Sequence, residues 1–241
     1  MSSRDRIARE RQSRIDRILE QAERLFVDKG YASTTVDDIA RQADFSRTAL
    51  YQYFRSKEEM YASILEHYTD LLADRVAQAT AGKASTPEKI RAFLGEIRRM
   101  IREKPGFFEL YFIQRHQVQP LLSEDWKIRL NEKRRRLENV FREAYQEGIR
   151  KGEVRPLRNK DASNLFFAQV MGMMLLHEYY GDEFDVSLEE HLDQCLAVYL
   201  EFVQNLDGRQ PPARRRKTEA APSERAKITG KGAFETDPRR S

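Results

Sequence analysis

Arg47, Thr48, Tyr51 and Gln52 fall close together in "SRTALYQYF", residues 46–54. An arginine can grip guanine bidentately, a glutamine can do the same for adenine, and a threonine can touch a thymine methyl. Tyrosine hydroxyls, the Lys57 ammonium and the amide groups at the start of a helix suit phosphate oxygens, which fix register without reading sequence. The chemistry these residue types share is hydrogen bonding to base edges and to a polyanionic backbone. For that, the polar side chains must leave one side of a short helix. Leu50 and Phe54, spaced i and i+4, must turn to the interior.

The flanking pattern supplies elements able to do this. Ser46 caps the helix predicted over 46–54, in which Ala49 also faces inward. Val36, Ile39, Ala40 and Ala43 predict a helix over 36–43, capped by Thr34 or Thr35. The link "ADFS" leaves Phe45 to plug the angle between the two. Two helices crossing steeply over such a turn are a helix-turn-helix, whose second helix enters the DNA major groove. An ordinary surface corner with the same caps is the competing reading. Upstream, Ile15, Ile18, Leu19, Ala22, Leu25 and Phe26 follow helical spacing until Gly30. Downstream, Ser56 and Glu59 form a capping box opening a long helix through Met60, Ile64, Leu65, Tyr68, Leu71 and Leu72.

Residues 15–65 closely resemble the N-terminal DNA-binding domain of TetR/AcrR-family transcriptional regulators. The resemblance rests on "AERLFVDKGYASTTVDDIA", "SRTALYQYF" and "SKEEM" and covers about the first quarter of the chain. It implies DNA contact by Thr35, Arg47, Thr48, Tyr51, Gln52, Tyr53 and Lys57; simple solvation is the alternative for each. Tyr31 is expected to pack beside the helix-turn-helix. Asp44 stands where the family pattern has glycine, which asks an aspartate to adopt positive φ. Phe45 is larger than the usual valine. The resemblance further implies a helical ligand-binding and dimerisation domain after the fourth helix. The function it implies is a homodimeric regulator, usually a repressor released from a palindromic operator by a small, largely apolar ligand.

Helical spacing continues to about residue 206, with no alternating strand pattern and no internal repeat, so the fold class is all-α. Three segments are expected: 1–57 as the helix-turn-helix domain, 58–207 as the ligand-binding and dimerisation domain, and 208–241 as a disordered basic tail. Gly82 to Pro87 and Pro105-Gly106 punctuate the middle, and Pro120 ends a segment. A charged helix from about 123 to 151 closes at Gly152. Helices near 160–180 and 186–206 carry long apolar faces, including Leu165, Phe166, Val170 and Leu176 on one and Leu192, Leu196, Tyr199 and Phe202 on the other. They suit a four-helix interface between two subunits, or burial inside one. The aromatic and methionine-rich stretches 105–126 and 166–180 suit a pocket, with Arg115, His116, Trp126, Gln169, Met174 and His177 as candidate lining. Core packing is the competing reading for each. Arg115 and His116 hint at an anionic head group on the ligand.

Charge is unevenly spread. Residues 1–57 hold 12 Lys/Arg against 9 Asp/Glu, 58–207 hold 21 against 26, and 208–241 hold 10 against 4. Polyanion binding therefore belongs to the ends, and "ARRRK" in the tail can add salt-sensitive DNA affinity. Tail composition is too polar to offset ordering entropy. No apolar run approaches a membrane span, the N-terminus lacks a secretory pattern, and the single cysteine, Cys195, fits a reducing compartment. A cytoplasmic protein is expected. Enzyme readings find little: four scattered histidines, no His-Glu-x-x-His, and no phosphate loop after a strand. His177, Glu178, Asp182 and His191 are a weak metal cluster, and no cofactor is called for. A non-specific DNA-packaging protein is the other rival.

Overall fold

The computed structural model describes residues 3–158 and 161–204, and every regular element among them is helical. The expected tail, 208–241, lies outside the described residues. The first helix, α1 (Ser3–Lys29), is much longer than the seam that anchors it. Ile18, Ala22 and Phe26 are fully buried, whereas residues 4–14 are exposed throughout. Next come α2 (Val36–Gln42) and α3 (Arg47–Leu50). Thr35 caps α2 through a capping box with Asp38, and Ser46 caps α3 by accepting the Ala49 amide.

The helix predicted over 46–54 is α-helical only to Leu50. Tighter turns follow, with Gln52 N donating to Ala49 O and Tyr53 N to Leu50 O. The shortening follows from Phe54, which must drop into the core beside Leu50 just before the chain reaches the next cap. That cap, Ser56, accepts from Glu59 N at 3.2 Å. The expected reciprocal bond closes one residue early, because the Glu59 carboxylate accepts from Arg55 N at 2.6 Å.

The fourth helix, α4 (Lys57–Thr80), is the axis of the molecule and packs on α1, on α5 (Thr86–Glu103) and on α8 (Glu124–Lys151). Consecutive residues Met60, Tyr61 and Ala62 are all buried, as are Ile64, Leu65, Tyr68, Leu72, Ala73 and Val76. A helix apolar on most sides is one enclosed by its neighbours. Ion pairs line the α4–α8 seam in register: Glu66 with Arg129 at 2.6 Å, Asp70 with Lys133 at 2.6 Å, and Asp74 with Arg136. Gly152, at φ 71°, supplies the left-handed residue that ends α8.

Between α5 and α8 the chain is irregular. Pro105 opens a short α6 (Pro105–Phe108), followed by a π-helical turn over Glu109–Gln114, then α7 (Arg115–Val118) and a 3-10 turn containing Pro120. The last two helices, α9 (Asp161–Tyr180) and α10 (Leu188–Gln204), pack on one another. Ala162, Phe166, Val170 and Met174 of α9, and Leu192, Tyr199, Leu200 and Val203 of α10, are buried within the subunit. Leu165, Leu176, Tyr179, Tyr180, Val198 and Phe202 stay exposed. Each helix thus carries apolar residues both inside the subunit and on its surface.

Candidate nucleic-acid interface

The exposed side of α3 is built on a sealed base. Leu50 is fully buried and Phe54 nearly so, while Phe45 packs edge-on against Tyr53 with ring centroids 5.9 Å apart. Asp44 adopts φ 60°, the sole non-glycine residue with positive φ among those described. Its carboxylate receives Arg17 from α1. The larger Phe45 and the aspartate are thus both accommodated, the first by a ring partner and the second by an ion pair.

Outward from that base stand Arg47, Thr48, Tyr51 and Gln52, all exposed. Arg47 reaches Asp37 at 3.0 Å and lies over the Tyr51 ring at 5.8 Å. Hydrogen bonding to Tyr51, then the charge of Asp37, raise its pKa further above the arginine range, so its charge is permanent. Both partners of the Arg47–Asp37 pair are more than half exposed. Such a pair contributes little and exchanges readily for another anion. Thr35 is exposed, but its hydroxyl is engaged with Asp38, donating to the carboxylate at 2.7 Å and accepting the amide at 3.1 Å. Tyr53 is half-buried and its hydroxyl accepts from Arg14 at 3.4 Å.

Lys57 is placed differently from the rest of the set. Its ammonium donates to Tyr31 O and Thr34 O, both at 2.8 Å, and sits 4.1 Å from the Tyr31 ring centroid. Burial draws its pKa down. It braces the turn before α2, with one of its three N–H groups outside those two bonds. Tyr31 is buried beside the helix-turn-helix, against Phe26 and Tyr61.

Residues 18–64 match the model of the bacterial regulatory proteins of the tetR family. The HTH-type transcriptional repressor KstR2 of Mycolicibacterium smegmatis is 26% identical over 196 residues, 81% of this chain and 93% of that one. The TetR family transcriptional regulator PfmR of Thermus thermophilus superposes with a TM-score of 0.63 at 26% identity, covering 76% of this chain and 97% of its own. The chain carries a TetR-family DNA-binding domain at residues 18–64. Over most of its length the chain is similar to proteins named as transcriptional regulators, not as enzymes. FadR of Bacillus subtilis, solved in complex with stearoyl-CoA, shares the fold, with a TM-score of 0.68 at 19% identity over 78% of this chain and 98% of its own.

The fold also encloses a cavity of about 260 Å³. Leu72 of α4, Ile97 of α5, Phe107, Tyr111 and Phe112 of the irregular segment, Leu137 of α8, and Phe167, Val170, Met171 and Met174 of α9 line it. Its polar members are Thr69, Arg115 and the ion-paired Arg134 and Glu138. The Thr69 hydroxyl donates to Leu65 O, and with Arg134 paired to Glu138 the Arg115 guanidinium is the cation of the lining outside that ion pair. Arg115 lies over the Tyr111 ring at 4.9 Å.

Of the lining expected from sequence, Arg115 and Met174 are in the wall; His116, Trp126, Gln169 and His177 are not. His116 is exposed and bonded to Ile113 O, and Trp126 is covered by Arg129 at 4.1 Å. Gln169 is half-buried on α9 outside the lining. His177 faces α10, where its Nε2 meets His191 Nδ1 at 2.6 Å and Phe184 packs against both rings. Glu178 and Asp182 do not join them: among the described residues no group of three or more His, Cys, Asp or Glu could hold a metal. Nor is any described helix long and apolar enough to cross a membrane.

A π-helical turn connects cavity and reader. Gln114, 4% exposed, donates through Nε2 to Phe26 O and to the Glu109 carboxylate, both at 2.8 Å. Its Oε1 accepts from Tyr31 N at 3.0 Å. The Tyr61 hydroxyl donates to Leu110 O in the same turn. This one segment therefore presents Tyr111 and Phe112 to the cavity and Gln114 to the end of α1. Sequence reasoning missed Gln114; a glutamine inside an otherwise apolar and aromatic run was the available signal.

Proposed function

We propose that this protein is a homodimeric repressor that reads a palindromic operator and is released by a small, largely apolar ligand with an anionic head. The observation that carries this reading is the exposed set Arg47, Thr48 and Gln52 on a Ser46-capped helix whose opposite face is sealed. Residues 1–57 read DNA, with Thr35, Tyr51, Tyr53 and Lys57 holding phosphates around the base contacts. Residues 58–207 hold the ligand and the dimer contact. The exposed apolar residues of α9 and α10 support a four-helix interface, which brings two reading helices to two half-sites. Relatives named as a repressor and as a binder of stearoyl-CoA support the sign of regulation and the ligand chemistry. The cavity supports it too, apolar along four helices with the Arg115 guanidinium in its wall.

Release follows from a shared element. A ligand that presses on Tyr111 and Phe112 moves the π-helical turn, and Gln114 then leaves Phe26 and Tyr31. α1 and α4 shift, and the spacing of the two reading helices changes. The coupling is reciprocal, so operator DNA must weaken ligand binding by the same factor. Selection of bound duplexes from random DNA, repeated with long-chain carboxylates, tests the whole reading. The expected result is a palindromic preference that fades with ligand, and an Arg47→Ala variant that loses about 1–3 kcal/mol and relaxes one base position. Enrichment of no sequence would remove the reading.

A further inference from the structure

Residues 31–57, which carry the helix-turn-helix, hold the carboxylates of Asp37, Asp38 and Asp44. Two of these serve the fold. Asp38 completes the capping box with Thr35, and Asp44 receives Arg17 at the tight turn. Asp37 does neither. It stands exposed in the first turn of α2, and its carboxylate accepts from Arg47 Nη1 at 3.0 Å. Both side chains are more than half exposed, so the pair adds little to stability. An anion on a surface that meets a polyanion also opposes the encounter. Neither folding nor plain affinity accounts for a carboxylate at this place.

The contact joins α2 to α3 across the turn, and the Tyr51 ring centroid lies 5.8 Å from Arg47 Cζ. Carboxylate and ring together restrict a long side chain that must otherwise give up its rotamer freedom on binding. A guanidinium presents its N–H groups as a rigid fork, and one carboxylate oxygen leaves others for the O6 and N7 of a guanine. Those two acceptors are uncharged, so the base can be bound without displacing Asp37. A phosphate brought to the same guanidinium is repelled by the carboxylate. One anion thus favours a base edge over the backbone at this arginine.

We propose that Asp37 is a specificity-determining residue of the DNA interface, which positions the Arg47 guanidinium for a guanine edge and withholds it from the phosphates of unselected DNA. This rests on α3 being the reader. The carboxylate acts through Arg47 and touches no base itself.

The test compares the full chain with Asp37→Ala, Arg47→Ala and the variant carrying both, all checked for folding by circular dichroism. Affinity is measured at about 150 mM salt. The duplexes are the selected operator, its versions with each other base at the position that Arg47→Ala relaxes, and a random duplex. Asp37→Ala should lose about two- to tenfold of the guanine preference at that position, the cost of immobilising one long side chain afresh. It should also bind the random duplex more tightly than the wild type does, because a repulsive element is gone. These opposite movements separate positioning from damage to the fold, which weakens binding to every duplex. With Arg47 already replaced, Asp37→Ala should leave base preference as it was, since the two residues act as one unit. An unaltered preference in Asp37→Ala overturns the proposal. So does a loss of equal size in the absence of Arg47, which would make Asp37 a reader in its own right. If Arg47→Ala relaxes no base position, the reading role of Arg47 falls, and the role of Asp37 falls with it.

Discussion

Gly148 lies where α8 crosses the start of α5, and a Cβ built on it would meet Thr86 Oγ1 at 2.3 Å, Cβ at 2.8 Å and Cγ2 at 2.9 Å. Thr86 cannot swing aside freely: it is 2% exposed, and its hydroxyl donates to Ala144 O at 3.3 Å. Alanine is favoured over glycine inside a helix by about 1 kcal/mol, whereas overpacking a close crossing costs about 1–3 kcal/mol. With three atoms below ordinary contact distance, the crossing wins. Gly148→Ala should lower the unfolding free energy by about 1–2 kcal/mol in a urea titration, with the m-value unchanged. At the same scale Asp44 was legible before any coordinates: a non-glycine at a glycine position in a tight turn takes φ 60°, and Arg17 compensates for it.

Among the elements, the π-helical turn gives the sharpest test. Replacing Gln114 with Leu keeps most of the volume but strands Phe26 O and Tyr31 N, and a buried polar group without a partner costs about 1–3 kcal/mol. The variant should be less stable by roughly that amount. Under the reading above, its operator affinity should also respond less to ligand, measured by titrating fatty-acid-like carboxylates into a fluorescent operator complex. A stability loss with undiminished ligand response would leave Gln114 structural only. Helix boundaries were readable because caps are local chemistry: Thr35, Ser46, Ser56 and Gly152 sit where the sequence places them. The π turn was not, since Glu109–Gln114 inserts its extra residue without disturbing the apolar spacing. The cavity was only half readable for a related reason. Its wall joins residues from four long helices and the irregular segment, so Arg134, Glu138 and Phe167 are neighbours of Arg115 in space but not in any sequence window. His177 carried the right residue type on α9 but projects from another side, toward His191.

Across the whole molecule, acid should act in two stages. Burial, and then the neighbouring His191, hold the His177 pKa below its ordinary 6.5. The unfolded chain therefore takes up this proton first, so the contribution is whole above pH 6.5 and declines as pH falls toward the depressed folded value. Lys151 and Lys89 hold Glu147 down at about 2 from its ordinary 4.5. Its contribution persists through the first stage and is lost only below about pH 4.5. Thermal midpoints measured from pH 8 to 2 should show the earlier decline in the wild type and a weaker one in His177→Gln, with the later decline common to both. Identical profiles would mean that the histidine contact is not made in solution.

Lys57 opens α4 while its ammonium grips the turn ahead of α2, and Thr69 and Leu72 of the same helix look into the cavity. The stretch between them is a stiff rod about 20 Å long. Held as a lever at the cavity end, it turns a tilt of about 5° into a swing of about 2 Å at Lys57. Two carbonyl oxygens would carry that swing straight into the ground on which Thr35 and α2 stand, so a guest too small to reshape the interior could still pull a hand off the groove.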